Sequence, residues 1–208
     1  TSVVIPNGVT TIEDWAFNDN LLVSVDIPES VMTIGKYAFT ANKLTSITIP
    51  DGITAIAQGV FWLNKLTSVN IPNSVTHIGN SAFLNNSLES IAIPDSVSDI
   101  GDFAFNGNYL VTVIIPSNVL NVGDGAFGNN PMPNLGWPTI TSVEILDNVT
   151  LGNYVFERGY NVTTITVGSN VTLGDNLLSE DNKFRDAYSQ GGAGIYTRDK
   201  ENWVKQID

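Results

Sequence analysis

Acid–base and metal chemistry have little to work with in this chain. It carries one imidazole, His77, and no cysteine. Catalysis by histidine needs an orienting partner and a nucleophile within hydrogen-bond reach. His77 occupies a polar position that recurs as Thr11, Thr33, Asp99 and Asn121, which predicts a solvated side chain. The carboxylates Asp99 and Asp102 lie on adjoining polar positions with nothing to desolvate them. There is no phosphate-cradling glycine loop, no Cys/His metal spacing and no aspartate-rich calcium nonapeptide. The expectation is a protein without cofactor, metal or catalytic centre. Binding chemistry is better supplied. Trp15, Tyr37, Phe103 and Tyr154 share one recurring position, with Trp62 and Tyr109 nearby. Such rings stack on sugars or anchor protein partners, although half-buried packing is their commoner fate. Asn148-Val-Thr, Asn161-Val-Thr and Asn170-Val-Thr match a glycosylation pattern, but Val-Thr after Asn is also the repeat's own turn.

What positions these residues is a period. Ile5-Pro6, Ile27-Pro28, Ile49-Pro50, Ile71-Pro72, Ile93-Pro94 and Ile115-Pro116 recur every 22 residues. A period in this range means stacked units, none of which can bury its own apolar face. Leu22, Val25 and Ile27, with their equivalents in every unit, make an LxxLxL pattern whose last two apolar positions share one side of a short strand. The Pro ends the strand, and Asn, Asp, Ser or Gly after it makes a turn. The chain returns through pairs such as Val31 and Ile34, whose spacing of three predicts a bent path with at most a very short second strand. An Ala-Phe pair follows (Ala38-Phe39, Ala82-Phe83, Ala104-Phe105), read as a single helical or 3₁₀ turn on the convex side whose rings form a spine. Three residues on stand Asn20, Asn42, Asn64, Asn86, Asn108 and Asn130, expected to bond buried backbone groups.

The strand positions that alternate with the buried ones form two solvent-facing columns on the concave side. One is uniform and small: Ser2, Ser24, Ser46, Ser68, Ser90, Thr112, Ser142 and Thr164. The other varies from unit to unit: Val4, Asp26, Thr48, Asn70, Ala92, Ile114, Glu144 and Thr166. Variation on a fixed frame is what a recognition surface needs, and drift on an unconstrained surface gives the same pattern. Asp26, Thr48, Asn70 and Glu144 are the candidate binding residues. Trp137 joins them from an insertion at 131–138, Pro131-Met132-Pro133-Asn134-Leu135-Gly136-Trp137-Pro138, where the strand interval lengthens. Insertions in repeat proteins fall on surface loops, often on a binding face. A hydroxyl ladder for ice binding is disfavoured, because Asp26, Asn70, Ala92, Ile114 and Glu144 interrupt it.

From Ser179 the pattern changes class. Ser179-Glu180-Asp181-Asn182 reads as a helix start, Phe184, Ala187 and Tyr188 share a face, and Gly191-Gly192 stops the helix. Ile195-Tyr196-Thr197 and Trp203-Val204-Lys205 read as a hairpin. The expected organisation is a solenoid over 1–178 closed by a C-terminal helix-hairpin cap over 179–208. Thr1–Ile5 aligns with Thr45–Ile49, so the chain opens inside a unit and is expected to derive from a longer protein.

The unit Leu44-Thr-Ser-Ile-Thr-Ile-Pro-Asp-Gly-Ile-Thr-Ala-Ile, with the Ala-Phe pair and the Asn, resembles the BspA-like (Treponema pallidum-type) leucine-rich repeats through about residue 178. The tail from Phe184 to Lys205, with Gly191-Gly192-Ala193-Gly194-Ile195-Tyr196-Thr197-Arg198 and Trp203, is similar to a tail that often closes such arrays in bacterial surface proteins. The resemblance implies a right-handed leucine-rich repeat solenoid, with one parallel sheet of about eight short strands. It also implies secretion or surface display, and adhesion to host matrix proteins or other cells; a host matrix or cell-surface protein or a glycan is the expected partner. The chain departs from the family in a unit commonly one residue longer there, and in Asn where Cys is frequent.

Charge narrows the partners. Residues 1–157 hold 14 acids against Lys36, Lys43 and Lys65, within a chain of net charge −12. Such an acidic body repels phosphate backbones, so nucleic acid is not an expected partner. No apolar run approaches the roughly 18 residues of a membrane span. A monomeric extracellular binding module is the leading expectation. A spacer or display repeat within a larger secreted enzyme or surface protein is the alternative.

Overall fold

The computed structural model describes residues 1–130, 140–158, 161–178, 183–199 and 202–206. Each repeat unit is one coil of a β-solenoid of about seven turns. Every coil has three runs, and most runs bond to the same run one coil on.

The first run is the LxxLxL strand, formed as Ser2–Val4, Ser24–Asp26, Thr112–Ile115, Ser142–Ile145 and Thr164–Val167. Neighbours pair in parallel at the register of the repeat, Ser2 with Ser24 and Ser142 with both Thr112 and Thr164. In the middle coils this ladder thins to one bridge between Thr48 and Asn70. A proline follows this run in each of the first six units, including the first two, whose strands do pair, so it offers no N–H at the strand end there. Where Leu146 and Gly168 stand in its place, their amides donate to Ile115 O at 3.0 Å and Ile145 O at 2.7 Å, and the strands lengthen to four residues.

The second run, the return path, is the more continuous ladder. Two-residue strands recur as Thr11–Ile12, Thr33–Ile34, Ala55–Ile56, His77–Ile78, Asp99–Ile100, Asn121–Val122 and Thr150–Leu151, all parallel where paired. The very short second strand read from the sequence is therefore present.

The third run corrects an expectation. The residue before each Ala-Phe pair has a left-handed backbone: Trp15 at φ 63°, Tyr37 at 58°, Gly59 at 61°, Ser81 at 57° and Phe103 at 55°. A helical or 3₁₀ turn excludes that conformation. The Phe amide turns away from its own turn to the next coil, Phe39 to Val60 O at 3.0 Å and Phe83 to Ala104 O at 2.8 Å. The convex side is thus a stack of tight turns.

Inside, the Phe rings of positions 17, 39, 61, 83, 105, 127 and 156 stack with centroids 5.3 to 5.9 Å apart and planes within 22°. The asparagines tie coil to coil. Asn86 accepts from Leu66 N–H at 3.1 Å, and its amide donates to Phe61 O at 2.8 Å and Phe83 O at 3.1 Å. Asn42, Asn64, Asn108 and Asn130 repeat the pattern. Asn20, in the first coil, departs from it: it is exposed and bonds only locally, to Asn18 O at 3.0 Å.

At the other end the helix Lys183–Gly191 stops where the Gly192 amide donates to Tyr188 O at 2.7 Å and φ turns to 68°. The expected helix start at 179–182 lies outside the described residues. Gly194–Asp199 pairs antiparallel with Thr164–Val167, and Asn202–Lys205 pairs with it in turn. Phe184 meets Tyr196 and Trp203 edge-on at 5.5 and 5.2 Å, which seals the apolar interior. Among the described residues no helix is long and apolar enough to cross a membrane.

Candidate functional site

Strand alternation decides which side chains face outward. Along Thr112–Ile115, Val113 and Ile115 are buried while Thr112 and Ile114 are exposed. The parallel register then lines up equivalent residues, so the variable column is a physical column. Val4 lies beside Asp26, Thr48 beside Asn70, and Ile114 beside Glu144 and then Thr166. Asp26, Thr48 and Asn70 are exposed and Glu144 is half-buried. Of these four, the pairing joins Thr48 to Asn70, while Asp26 pairs with Val4 and Glu144 with Ile114 and Thr166. Trp137 lies outside the described residues, with the rest of the insertion.

The column is longer than the repeat alone indicates. Thr166 registers with Ile195 of the hairpin, which is 46 % exposed, and Thr164 with Thr197. The hairpin therefore extends both columns, adding Ile195 and then Val204, which pairs with Thr197. The signal was the alternation of Ile195, Tyr196 and Thr197, whose middle residue points inward.

His77 is exposed, as expected, and also has partners. Its Nε2 lies 3.2 Å from Asp99 Oδ2 one coil on, and its Nδ1 is 2.7 Å from Thr76 Oγ1. The Asp99 carboxylate accepts from Ser98 Oγ at 2.5 Å and from Asn121 Nδ2 at 2.8 Å. These two hydrogen bonds, Ser98 first, hold the Asp99 carboxyl below its ordinary range; burial opposes them and His77 adds to them. The cluster borders a groove of about 430 Å³ lined also by Asn80, Asp102 and the glycines 79, 101 and 123. A hydroxyl, an imidazole and a carboxylate in a row have the outline of an acid–base relay. The donors such chemistry needs for a developing oxyanion are already engaged here. Gly79 N–H bonds Ile56 O and Gly101 N–H bonds Ile78 O, each at 2.8 Å, while Asp102 N–H bonds Asn80 Oδ1 at 3.1 Å.

That last bond belongs to a second ladder that sequence reading missed. Asp14, Asn80, Asp102, Asp124 and Asn153 each accept, through a side-chain oxygen, the amide of the equivalent residue one coil on. The glycine before each acceptor's successor makes room: a Cβ on Gly101 would sit 2.4 Å from Asn80 Oδ1, and one on Gly123 at 2.4 Å from Asp102 Oδ1. Both residue types were visible in the sequence, but their contact crosses coils. No cluster of His, Cys, Asp or Glu suited to a metal occurs among the described residues.

Comparison with solved structures returns the same architecture. A leucine-rich repeat protein from Bacteroides ovatus aligns with TM-score 0.55 at 20 % identity, covering 86 % of this chain and 64 % of that one. The pneumococcal vaccine antigen PcpA aligns with TM-score 0.56 at 16 % identity, over 82 % of this chain and 51 % of that one. A Treponema pallidum leucine-rich repeat protein aligns with TM-score 0.53 at 26 % identity, over 91 % and 83 %. The chain thus spans less than two thirds of the first two. No curated protein matches it in sequence. In the family comparison, the BspA type leucine rich repeat region matches in six copies, over residues 1–108 and 76–186. With the LxxLxL register, the phenylalanine stack and the asparagine ladder all in place, the chain belongs to the BspA-type leucine-rich repeat family.

Proposed function

We propose that this chain is a non-catalytic, extracellular module of a bacterial surface or secreted protein that binds protein or glycan. The observation that carries this reading is the single variable column on an otherwise uniform frame. Asp26, Thr48, Asn70, Ile114 and Glu144 differ in charge, size and polarity while the residues around them repeat. A rigid file of unlike side chains, spaced by strand pairing near 4.8 Å, can match an extended surface at several points at once. The fold-level likeness to a vaccine antigen is in keeping with display outside the cell. We place the repeat array at 1–178, a closing unit at 179–208, and a supporting contact at Trp137. The test is binding of immobilised matrix proteins and a glycan array by this chain. Asp26→Ala with Asn70→Ala should abolish the captured signal while leaving the melting temperature unchanged; equal capture by the variant would refute the reading. A spacer role is the second reading, favoured by the regularity of the coils. It predicts a blank screen for this chain and a binding or catalytic unit carried by other parts of a larger protein or assembly.

A further inference from the structure

Trp15 and Tyr37 stack on the convex side with centroids 4.2 Å apart, and Tyr37 meets Trp62 at 6.4 Å and 58°. Trp15 is 53 % exposed, Leu63 is 43 % exposed, and Tyr37 and Trp62 are half-buried. Tyr37 is held in place from beneath, since its ring covers Gly59 where a Cβ would approach within 2.3 Å. The indole N–H of Trp62 is enclosed and finds no acceptor. Glu13, Asp14 and Asp19 flank Trp15, but around Tyr37 and Trp62 the charge is unlike that of the rest of the array. Lys36, Lys43 and Lys65 are the only bases in residues 1–157, all three are exposed, and the only acid between 36 and 65 is Asp51. Lys36 directly precedes Tyr37, while Lys43 and Lys65 stand at the same position of adjacent coils, just beyond Ala41 and Leu63.

We infer that this convex patch binds an anionic polysaccharide, one carrying carboxylate or sulfate groups. Aromatic rings offer flat apolar faces to the C–H edges of a sugar. The lysine ammonium groups along the margin would meet the anionic substituents. The net negative charge of the chain does not forbid this, because charges beyond about 10 Å are screened at 0.1 M ionic strength. A protein partner fits less well, since lysine is depleted at protein interfaces. A nucleic acid fits less well too, because its affinity rests on neutralising many phosphates. This site is separate from the strand column and does not depend on it.

Heparin and polygalacturonate are suitable probes, with uncharged dextran and polyglutamate as comparators, followed by calorimetry and by tryptophan emission. Both polyanionic sugars should bind and shift the emission, and added salt should weaken them. Lys43→Ala with Lys65→Ala should bind roughly tenfold more weakly, a loss of about 1.4 kcal/mol, at an unchanged melting temperature. Trp62→Leu should weaken binding as well. Asp26→Ala with Asn70→Ala should bind as the parent does, which separates this site from the strand column. No binding of either sugar polymer, unchanged binding by the lysine variant, or polyglutamate bound as tightly as heparin would each overturn the proposal.

Discussion

Asn86 has all of its polar atoms inside the array and all of them used, across two coils. Truncation to Ala would strand the Leu66 amide and two phenylalanine carbonyls in a dry interior. Asn86→Ala should therefore lower stability by about 2–4 kcal/mol, read by chemical denaturation. Asn20→Ala, at the exposed equivalent, should change little. Asp99 behaves differently because it lies near the surface. Its folded pKa sits below the ordinary value, so its favourable interactions persist above about pH 3.9 and disappear as pH falls through the depressed folded value. Following the Asp99 carboxyl by NMR should give a midpoint below an ordinary aspartate, and Ser98→Ala should raise it. If the midpoint of the parent is ordinary, the Ser98 bond is not formed in solution.

At the level of elements, the rings and the turns were legible to different degrees. The phenylalanine spine follows directly from the Ala-Phe recurrence, and Phe83 is fully buried as that recurrence requires. Phe83→Ala should cost about 3–5 kcal/mol, and Phe17→Ala less, because its ring is only half-buried. The left-handed residue before each pair was not legible. Trp15, Tyr37 and Phe103 are poor choices for that conformation by local preference, and the bond from the following Phe amide to the next coil imposes it. The weak middle of the LxxLxL ladder was also hidden, since Ile91–Ile93 reads as strongly as Val113–Ile115. Hydrogen exchange should show the Phe83 and Gly101 amides protected far longer than that of Ala92. Comparable protection at Ala92 would mean that the strand ladder is continuous in solution.

For the whole molecule, the sequence announced the frame and left the partner open, because a repeat encodes what coils share and binding depends on where they differ. Asp26, Asn70 and Glu144 could be placed on one face from the period alone. The hairpin's contribution of Ile195 required knowing which strand it joins. The hairpin and helix also decide whether the array holds at that end. Removing 179–208 would uncover the edge of Thr164–Val167 and the buried Leu177 and Leu178. The shortened chain should melt several degrees lower by about 2–4 °C per kcal/mol lost and scatter light as it associates. An unchanged melting temperature would show that the last coil closes itself.

The contact of Gly35, Gly101, Gly123 and Gly152 with the acidic or amide side chain one coil below bears on how such an array can grow; Gly79 and Gly174 meet backbone only. Position 57 is Ala where Gly35, Gly101 and Gly123 stand in other coils, and the residue one coil below it is Lys36, whose side chain has no oxygen to fill that space. A coil's seat is therefore matched to its predecessor. Duplication or exchange of gene segments preserves the fit only when both halves of that pair arrive together, so the permitted joins between coils are ordered and run in one direction. Lengthening the protein is then a matter of inheritance by neighbouring pairs, and a single coil spliced in at random meets its first selection at that seam.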